Sequence, residues 1–313
     1  MPIDPQVKAF LDQLAAAGLP PVESLTPREA RLQMEAGAMM LGRMPEVGRV
    51  EDHVLAGPES PLRVRLTAPA GEGPFPAVVY FHGGGWVVGS LFSHDHLCRA
   101  LTRASGMAFV SVDYRLAPEH PFPAAVDDAE AAAAWVVANA ETLGLDPARI
   151  AVGGDSAGGN LAAVVARRAR DRGDSPFAGQ LLLYPVTDAD LDTPSYLANA
   201  EGYFLTRSAM AWYWNQYAPD LAARLHPDVS PLRTPDLRGL PPALVVTAGF
   251  DTLSDDGVAY ARRLAEAGVA VEHFHYEGMI HGFFRRHHLL DVGKTALADV
   301  AAGLARMLGT PGD

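Results

Sequence analysis

Ser156 lies in a pattern that is typical of a nucleophilic serine. Residues 153–160 read Gly-Gly-Asp-Ser-Ala-Gly-Gly-Asn, between an apolar run at 149–152 and a helix-favouring run at 161–168. Glycines on both sides remove the Cβ atoms that would clash if the chain turned sharply at the serine. A strand, a sharp turn and a helix in this order expose the serine hydroxyl above the helix N-terminus. The alternative is a glycine-rich turn whose serine only caps the helix, so the rest of the chain must decide.

A nucleophilic serine also needs backbone donors for the oxygen that becomes negative during the reaction. Residues 82–86 read His-Gly-Gly-Gly-Trp and directly follow the apolar run at residues 77–81. Three glycines there let N–H groups approach a ligand without interference from side chains. We therefore predict an oxyanion hole formed by the N–H groups of Gly83 and Gly84, with that of Ala157 as a third donor.

His281 is the predicted general base, because it stands in a glycine-flanked loop just after the last predicted strand. His82 belongs to the glycine loop, and we predict that it braces this loop by hydrogen bonding. Four other histidines lie in helical or polar contexts and are predicted to be surface groups: His94, His96, His287 and His288.

The acid that orients the histidine should follow the preceding strand, which is predicted at residues 243–247. Asp251 is the first acidic residue after that strand. Asp255 belongs to the first turn of the next helix, where a carboxylate favours the positive end of the helix dipole. We predict Asp251 in preference to Asp255. The resulting chain order of serine, aspartate and histidine is the order in the α/β-hydrolase fold.

The elements that would position these residues alternate between strands and helices. Apolar runs at residues 77–81 and 108–112 are typical of strands that are covered on both faces. Further strands are predicted at 62–66, 149–152, 180–184, 243–247 and 269–276, and helices at 96–104, 126–140, 161–168, 258–267 and 289–308. This alternation predicts an α/β fold, with a mostly parallel central sheet and helices on both faces.

Two helical segments interrupt this alternation. Residues 1–45 are predicted to form an N-terminal cap segment, and residues 189–240 an aromatic-rich cap insertion. The catalytic domain then comprises residues 46–188 and 241–313. Apolar side chains of the two cap segments are the predicted substrate-binding residues: Phe10, Leu14, Met34, Met39, Tyr203, Leu205 and Trp212. The alternative for Met34 and Met39 is that they pack against the domain as ordinary core residues.

Four motifs together resemble the bacterial hormone-sensitive-lipase-like esterases of the α/β-hydrolase fold. They are His-Gly-Gly-Gly-Trp at 82–86, Asp-Tyr-Arg-Leu-Ala-Pro-Glu at 113–119, Gly-Asp-Ser-Ala-Gly-Gly at 154–159 and Gly-Met-Ile-His-Gly-Phe at 278–283. The resemblance implies a carboxylesterase for short- to medium-chain esters, without metal or organic cofactor. It also implies a mainly structural role for residues 113–119. The family's acidic motif commonly has proline where this chain has Thr252, and a larger residue where it has Ser254.

The predicted reaction is a two-step acyl transfer to water through an acyl-enzyme on Ser156. A peptidase or amidase with the same triad is the closest alternative. A second alternative is a receptor that uses the pocket only for binding, although the presence of His281 in an intact loop weighs against it.

Composition limits the partners. The formal net charge of -12 argues against nucleic acid or an anionic membrane surface as a main partner. Cys98 is the single cysteine, and neither a signal peptide nor a membrane-spanning run is visible, so a cytoplasmic enzyme without a stable membrane anchor is expected. A homodimer remains open, because the last strand and helix could form an edge-to-edge contact.

Overall fold

The computed structural model describes residues 2–173 and 175–309, so residues 1, 174 and 310–313 of the predicted domains lie outside the described part. Within the described residues, eight strands form one sheet in the order β1-β2-β4-β3-β5-β6-β7-β8. The strands are β1 Arg49–Ala56, β2 Pro61–Ala68, β3 Phe75–Phe81, β4 Ala108–Asp113, β5 Leu145–Asp155, β6 Gly179–Leu183, β7 Ala243–Phe250 and β8 Val271–Ile280. The larger helices are α1 Pro5–Ala17, α2 Pro27–Met39, α3 Leu91–Ser105, α4 Ala124–Ala138, α5 Ala157–Asp171, α6 Pro194–Ala198, α7 Arg207–Tyr217, α8 Ser254–Glu266 and α9 Asp291–Leu308.

The sheet is parallel from β4 to β8, and β1 and β2 join it antiparallel. All seven residues of β3 are buried, which explains why its sequence is continuously apolar. The predicted α/β-hydrolase fold is therefore confirmed. The sequence did not predict β1, in which the polar residues Arg49, Glu51 and His53 are half-buried while Val50 and Val54 are exposed.

Each face of the sheet has its own hydrophobic core, because side chains alternate along a strand. Val78 and Tyr80 pack with apolar side chains of α3 and α9. Val79 and Phe81 pack on the opposite face with apolar side chains of α4, α5 and α8. This three-layer arrangement holds the strand ends rigidly, and the predicted site residues lie at those ends.

Residues 2–45 and 189–240 are helical and contain no strand in the part that the structure describes. We call them the N-terminal segment and the inserted segment. The predicted capping box at the start of α2 is present, since Glu29 N–H donates to Thr26 Oγ1 (3.3 Å) and Thr26 N–H donates to Glu29 Oε2 (2.9 Å). Ser208 of the inserted segment donates to the Glu23 carboxylate of the N-terminal segment (2.7 Å). None of the described helices is long and apolar enough to cross a membrane.

Candidate active site

The predicted site residues meet at one edge of the sheet. Four parallel strands, β3, β5, β7 and β8, end there, and each is followed at once by a residue singled out from the sequence. Carboxyl ends of parallel strands form the usual ligand-binding edge of such a sheet. The four residues that directly follow these strands are His82, Ser156, Asp251 and His281.

Ser156 occupies a strained turn between β5 and α5. Its φ of 57° and ψ of -119° lie in a region that residues with a side chain rarely adopt. The turn is held because Ser156 N–H donates to the Leu183 carbonyl (2.9 Å). A Cβ atom on Gly158 would overlap the Phe81 carbonyl, so only glycine lets the first turn of α5 approach β3 this closely. The geometry is that of the predicted nucleophile elbow.

Asp251 and His281 form a hydrogen-bonded pair with 2.8 Å between Asp251 Oδ2 and His281 Nδ1. Leu253 N–H donates to the other carboxylate oxygen of Asp251 (2.9 Å), which fixes its orientation. Asp255 accepts instead from Ser195 N–H (2.8 Å). The structure thus pairs His281 with Asp251, the preferred of the two acids, and leaves Nε2 as the nitrogen that can exchange protons with a substrate.

Tyr184 lies between His281 and the turn at Ser156. Its ring lies 4.7 Å from the His281 ring, measured between centroids. The residue before it, Leu183, supplies the carbonyl that binds the Ser156 amide. Ser156 and His281 are 7% and 6% exposed, so both are almost fully enclosed.

The glycine loop after β3 differs in one respect from the prediction. Gly83 N–H donates to Asp155 Oδ1 (2.9 Å), and this contact speaks against Gly83 as an oxyanion donor. No hydrogen bond between described residues uses the N–H groups of Gly84, Gly85 or Ala157. Gly84 and Gly85 have φ values of +125° and +57°, so the loop turns in a way that favours glycine at both positions. The spacing of the motif could not reveal which amide Asp155 occupies.

Asp155 braces the loop, as predicted. Besides Gly83, it accepts from the Tyr80 hydroxyl (2.9 Å) and lies 3.5 Å from His94 Nε2. Burial alone would raise the pKa of Asp155, but its contacts with His94 and with the Tyr80 hydroxyl hold that pKa below its usual range. Asp155 therefore remains an acceptor for the loop amide at neutral pH.

His82 also braces the loop, in agreement with the prediction. Its Nδ1 lies 2.9 Å from the Gly83 carbonyl, its ring stacks on Tyr114 at 4.2 Å, and the Tyr114 hydroxyl donates to the His82 carbonyl (2.7 Å). Burial lowers the pKa of His82 to about 4, and neighbouring His94 acts in the same direction. The ring is thus neutral at physiological pH.

The prediction that four other histidines are surface groups is wrong for three of them. His94, His96 and His287 are buried, because α3 lies against β4, α9 and the turn before α9. His288 is half-buried beside His96. Their polar surroundings in the sequence concealed a helix that is covered along much of its length.

The predicted substrate-binding residues divide into two groups. Met39 is 72% exposed at the end of α2, which speaks against its predicted place in a pocket wall. The others are buried or half-buried in the N-terminal and inserted segments: Phe10, Leu14, Met34, Tyr203, Leu205 and Trp212. Of these, Met34 Sδ accepts from Arg285 (3.2 Å), and Trp212 packs edge-on against Tyr213, 5.1 Å away.

Sequence reasoning missed three residues near the site. Tyr184 contacts the His281 ring, while Arg285 and Arg286 turn inward just after the histidine loop. Two adjacent arginines are typical of a solvated surface, so only the fold reveals their position. No three or more His, Cys, Asp or Glu side chains among the described residues form a group that could hold a metal ion.

Comparisons with known proteins agree with this geometry. The α/β hydrolase fold family matches residues 78–285. Carboxylesterase NlhH of Mycobacterium tuberculosis is 41% identical, with 98% of this chain and 96% of that protein covered. Ethyl acetate hydrolase of Pseudomonas putida is 40% identical, with 98% and 100% covered. The solved hyperthermophilic esterase of Pyrobaculum calidifontis has a TM-score of 0.94 and 44% identity, over 98% of this chain and 99% of that one.

Proposed function

We propose that Ser156, His281 and Asp251 carry out ester hydrolysis in this chain, which belongs to the α/β hydrolase family and is a carboxylic ester hydrolase of the hormone-sensitive-lipase-like type. The observation that supports the triad most directly is the 2.8 Å contact between His281 Nδ1 and Asp251 Oδ2, at the sheet edge where Ser156 lies. Asp251 holds the imidazole in the tautomer whose Nε2 can accept a proton.

The proposed reaction has two halves. Ser156 Oγ attacks the ester carbonyl while His281 Nε2 takes the hydroxyl proton, and the alcohol leaves with that proton. His281 then takes a proton from water, and the hydroxide attacks the acyl carbon. The bond between that carbon and Ser156 Oγ breaks as His281 returns the proton to Oγ, which releases the carboxylic acid and restores Ser156. Asp251 stabilises the imidazolium in both halves and keeps its negative charge.

The oxyanion is assigned to the N–H groups of Gly84, Gly85 and Ala157. Gly83 is replaced in this assignment because its amide already donates to Asp155. Ala157 begins α5, where the N–H groups of the first turn point towards the nucleophile and the helix dipole favours negative charge.

The substrate is proposed to be an uncharged ester with a short to medium acyl chain. The N-terminal and inserted segments are proposed to form a cap over the sheet edge, with Leu205, Trp212 and Met34 among the apolar side chains that enclose the acyl group. A relative named ethyl acetate hydrolase supports small esters. An amidase is the weaker candidate, since the similar proteins are named for ester hydrolysis.

The experiment is a series of p-nitrophenyl esters from acetate to palmitate with the purified protein, and an anilide of the preferred acid. We expect kcat/KM to be highest for chains of about two to eight carbons, and the anilide to react far more slowly. The variant Ser156→Ala should lose several orders of magnitude in kcat while keeping its melting temperature. A preference for palmitate would refute the proposed pocket, and normal turnover by the variant would refute the nucleophile.

Two further assignments are proposals. The single cysteine, Cys98, is a buried free thiol, which supports the cytoplasm as location. Strand β8 lies at one end of the sheet order, which supports a homodimer through edge-to-edge pairing of Val271–Ile280. Sedimentation of the purified protein at micromolar concentration tests the dimer, and a monomer at all concentrations would refute it.

A further inference from the structure

Arg286 occupies an uncommon position for an arginine. Its guanidinium carbon lies 4.6 Å from the centre of the Phe10 ring and 4.1 Å from the centre of the Phe204 ring. Phe10 belongs to α1 of the N-terminal segment, and Phe204 to the inserted segment. One cation therefore contacts both segments, through the attraction between a positive charge and the electron-rich face of an aromatic ring.

The same guanidinium reaches the loop of the proposed general base. Arg286 Nη1 donates to the carbonyl of Gly282 (3.1 Å), the residue that directly follows His281. Gly282 has a φ of +72°, and a Cβ atom there would lie 3.3 Å from Arg286 Nη1 and 3.6 Å from Phe204 Cε1. The histidine loop is thus packed directly against the arginine and the aromatic ring.

Arg286 forms no ion pair with a carboxylate among the described residues, and its guanidinium contacts two aromatic rings and a backbone carbonyl. Burial lowers the pKa of Arg286 to about 9, with neighbouring Arg285 acting in the same direction. The group still carries its charge at neutral pH, and both ring contacts depend on that charge.

The inserted segment is strained where it meets the arginine. Phe204 has a φ of 76°, and Leu205 N–H donates to the Tyr203 carbonyl across it (3.0 Å), which forms a tight three-residue turn. Such a conformation persists only where its surroundings hold it. The preceding residue, Tyr203, packs at 4.9 Å on Phe250, the neighbour of Asp251.

The inserted segment also holds the loop of the proposed acid. Asn199 Nδ2 donates to the Asp251 carbonyl (3.1 Å), and Ser195 Oγ donates to the Thr252 carbonyl (2.7 Å). Residues 195–204 therefore contact the loops on both sides of the Asp251–His281 hydrogen bond. Arg286 is the link on the histidine side.

We propose that Arg286 is a positioning residue that joins the N-terminal and inserted segments to the His281 loop, so that enclosure of the substrate and alignment of the base occur together. The proposal rests on the proposed esterase function. Loss of the link would let the Gly282 carbonyl and the neighbouring imidazole shift, and small displacements of a catalytic group reduce turnover strongly.

The test compares Arg286→Gln and Arg286→Lys with the wild-type enzyme, using the ester series. The glutamine variant removes the charge, whereas lysine keeps a cation that can face the rings and reach the Gly282 carbonyl. We expect Arg286→Gln to lower kcat by about tenfold or more, by a similar factor for every chain length, with KM changed by less than about threefold. Arg286→Lys should recover most of that loss.

One control variant and one second test variant complete the comparison. Arg262→Gln removes an exposed arginine of α8 whose ion-pair partner among the described residues is Glu266, 3.7 Å away, and it should match the wild type. Phe204→Leu keeps an apolar side chain but removes a ring face, and it should lower kcat in the same direction even if Arg286→Gln fails to fold. A rise in KM that grows with chain length, with kcat unchanged, would make Arg286 a pocket wall and overturn the proposal.

Hydrogen–deuterium exchange separates this proposal from the proposed function. Residues 199–206 and 281–286 should exchange faster in Arg286→Gln than in the wild type or in Arg262→Gln. Equal exchange rates in all three proteins would overturn the link, whether or not the protein hydrolyses the esters. A wild type that hydrolyses none of them, with the exchange difference present, would refute the ester assignment and leave the link standing.

Discussion

At the scale of single residues, the division of roles between two neighbouring acids is the most informative feature. Asp251 accepts from His281 Nδ1 and from the Leu253 amide, whereas Asp255 accepts from the Ser195 amide. Both are in the first residues after β7, yet only one faces the histidine. The same stretch of chain thus contains a residue that binds the proposed base and a residue that binds the inserted segment.

This difference predicts unequal effects of the same substitution. Asp251→Asn keeps the shape of the side chain but favours the wrong imidazole tautomer, so kcat should fall by about three to four orders of magnitude. Asp255→Asn should lower kcat by less than about tenfold, because it touches no reacting group. Steady-state kinetics with p-nitrophenyl butyrate measures both, and a larger loss for Asp255→Asn would reverse the assignment.

At the scale of elements, the glycine loop is positioned by contacts from three sides. Asp155 at the end of β5 binds its Gly83 amide, and Tyr114 after β4 donates to the His82 carbonyl. Arg31 of α2 donates to the Val87 carbonyl (2.8 Å). The loop therefore depends on two strand ends and on the N-terminal segment for a geometry that its glycines alone would not maintain.

Removal of one of these contacts should affect both stability and activity. Tyr114→Phe leaves the buried His82 carbonyl without its donor, so the free energy of unfolding should fall by about 1–3 kcal/mol and kcat/KM by several-fold. Tyr276→Phe is the control, because its hydroxyl donates to Asp299 (2.7 Å) on another part of the surface. Urea unfolding gives the free energy of unfolding of both variants, and steady-state kinetics gives their kcat/KM. Equal effects on kcat/KM would contradict a specific role in the loop.

At the scale of the whole molecule, a sheet covered on both faces forces some ionisable groups into its interior. Asp256 in the first turn of α8 is 2% exposed, and burial raises its pKa to about 8. The amides of Thr187 and Asp188 donate to its carboxylate at 2.8 and 3.0 Å. These hydrogen bonds lower the pKa, but they only partly offset the effect of burial on it. The native protein therefore holds a proton on Asp256 at neutral pH.

This carboxyl should make stability depend on pH in a defined direction. Between pH about 4 and 8 the folded state keeps a proton that the unfolded chain has released, so stability falls as the pH rises. Relative to Asp256→Asn, the wild type should lose on the order of a few kcal/mol of unfolding free energy from pH 5 to pH 8. Urea unfolding at several pH values measures this, and parallel curves for the two proteins would contradict it.

Features that depend on short stretches of sequence could be predicted, such as the residues that follow the ends of strands. Strand-end motifs located Ser156, Asp251 and His281, since an apolar run followed by a glycine-rich turn is visible in the letters alone. The sequence could not predict contacts between distant segments. The amide that Asp155 binds is 72 positions away, and the rings around Arg286 come from two separate helical segments. Strand β1 was not predicted because Arg49, Glu51 and His53 occupy its half-buried positions and its valines are exposed, which is the reverse of the usual pattern for a half-buried strand.

The central claim is that Ser156 is the nucleophile of an ester hydrolase, and covalent labelling tests it most directly. The enzyme is incubated with diethyl p-nitrophenyl phosphate, and the site of modification is mapped by mass spectrometry of its peptides. The account predicts one diethylphosphoryl group per chain on Ser156, loss of esterase activity in the same proportion, and no labelling of Ser156→Ala. Loss of activity with the group on another residue, or full activity after complete modification of Ser156, would contradict it.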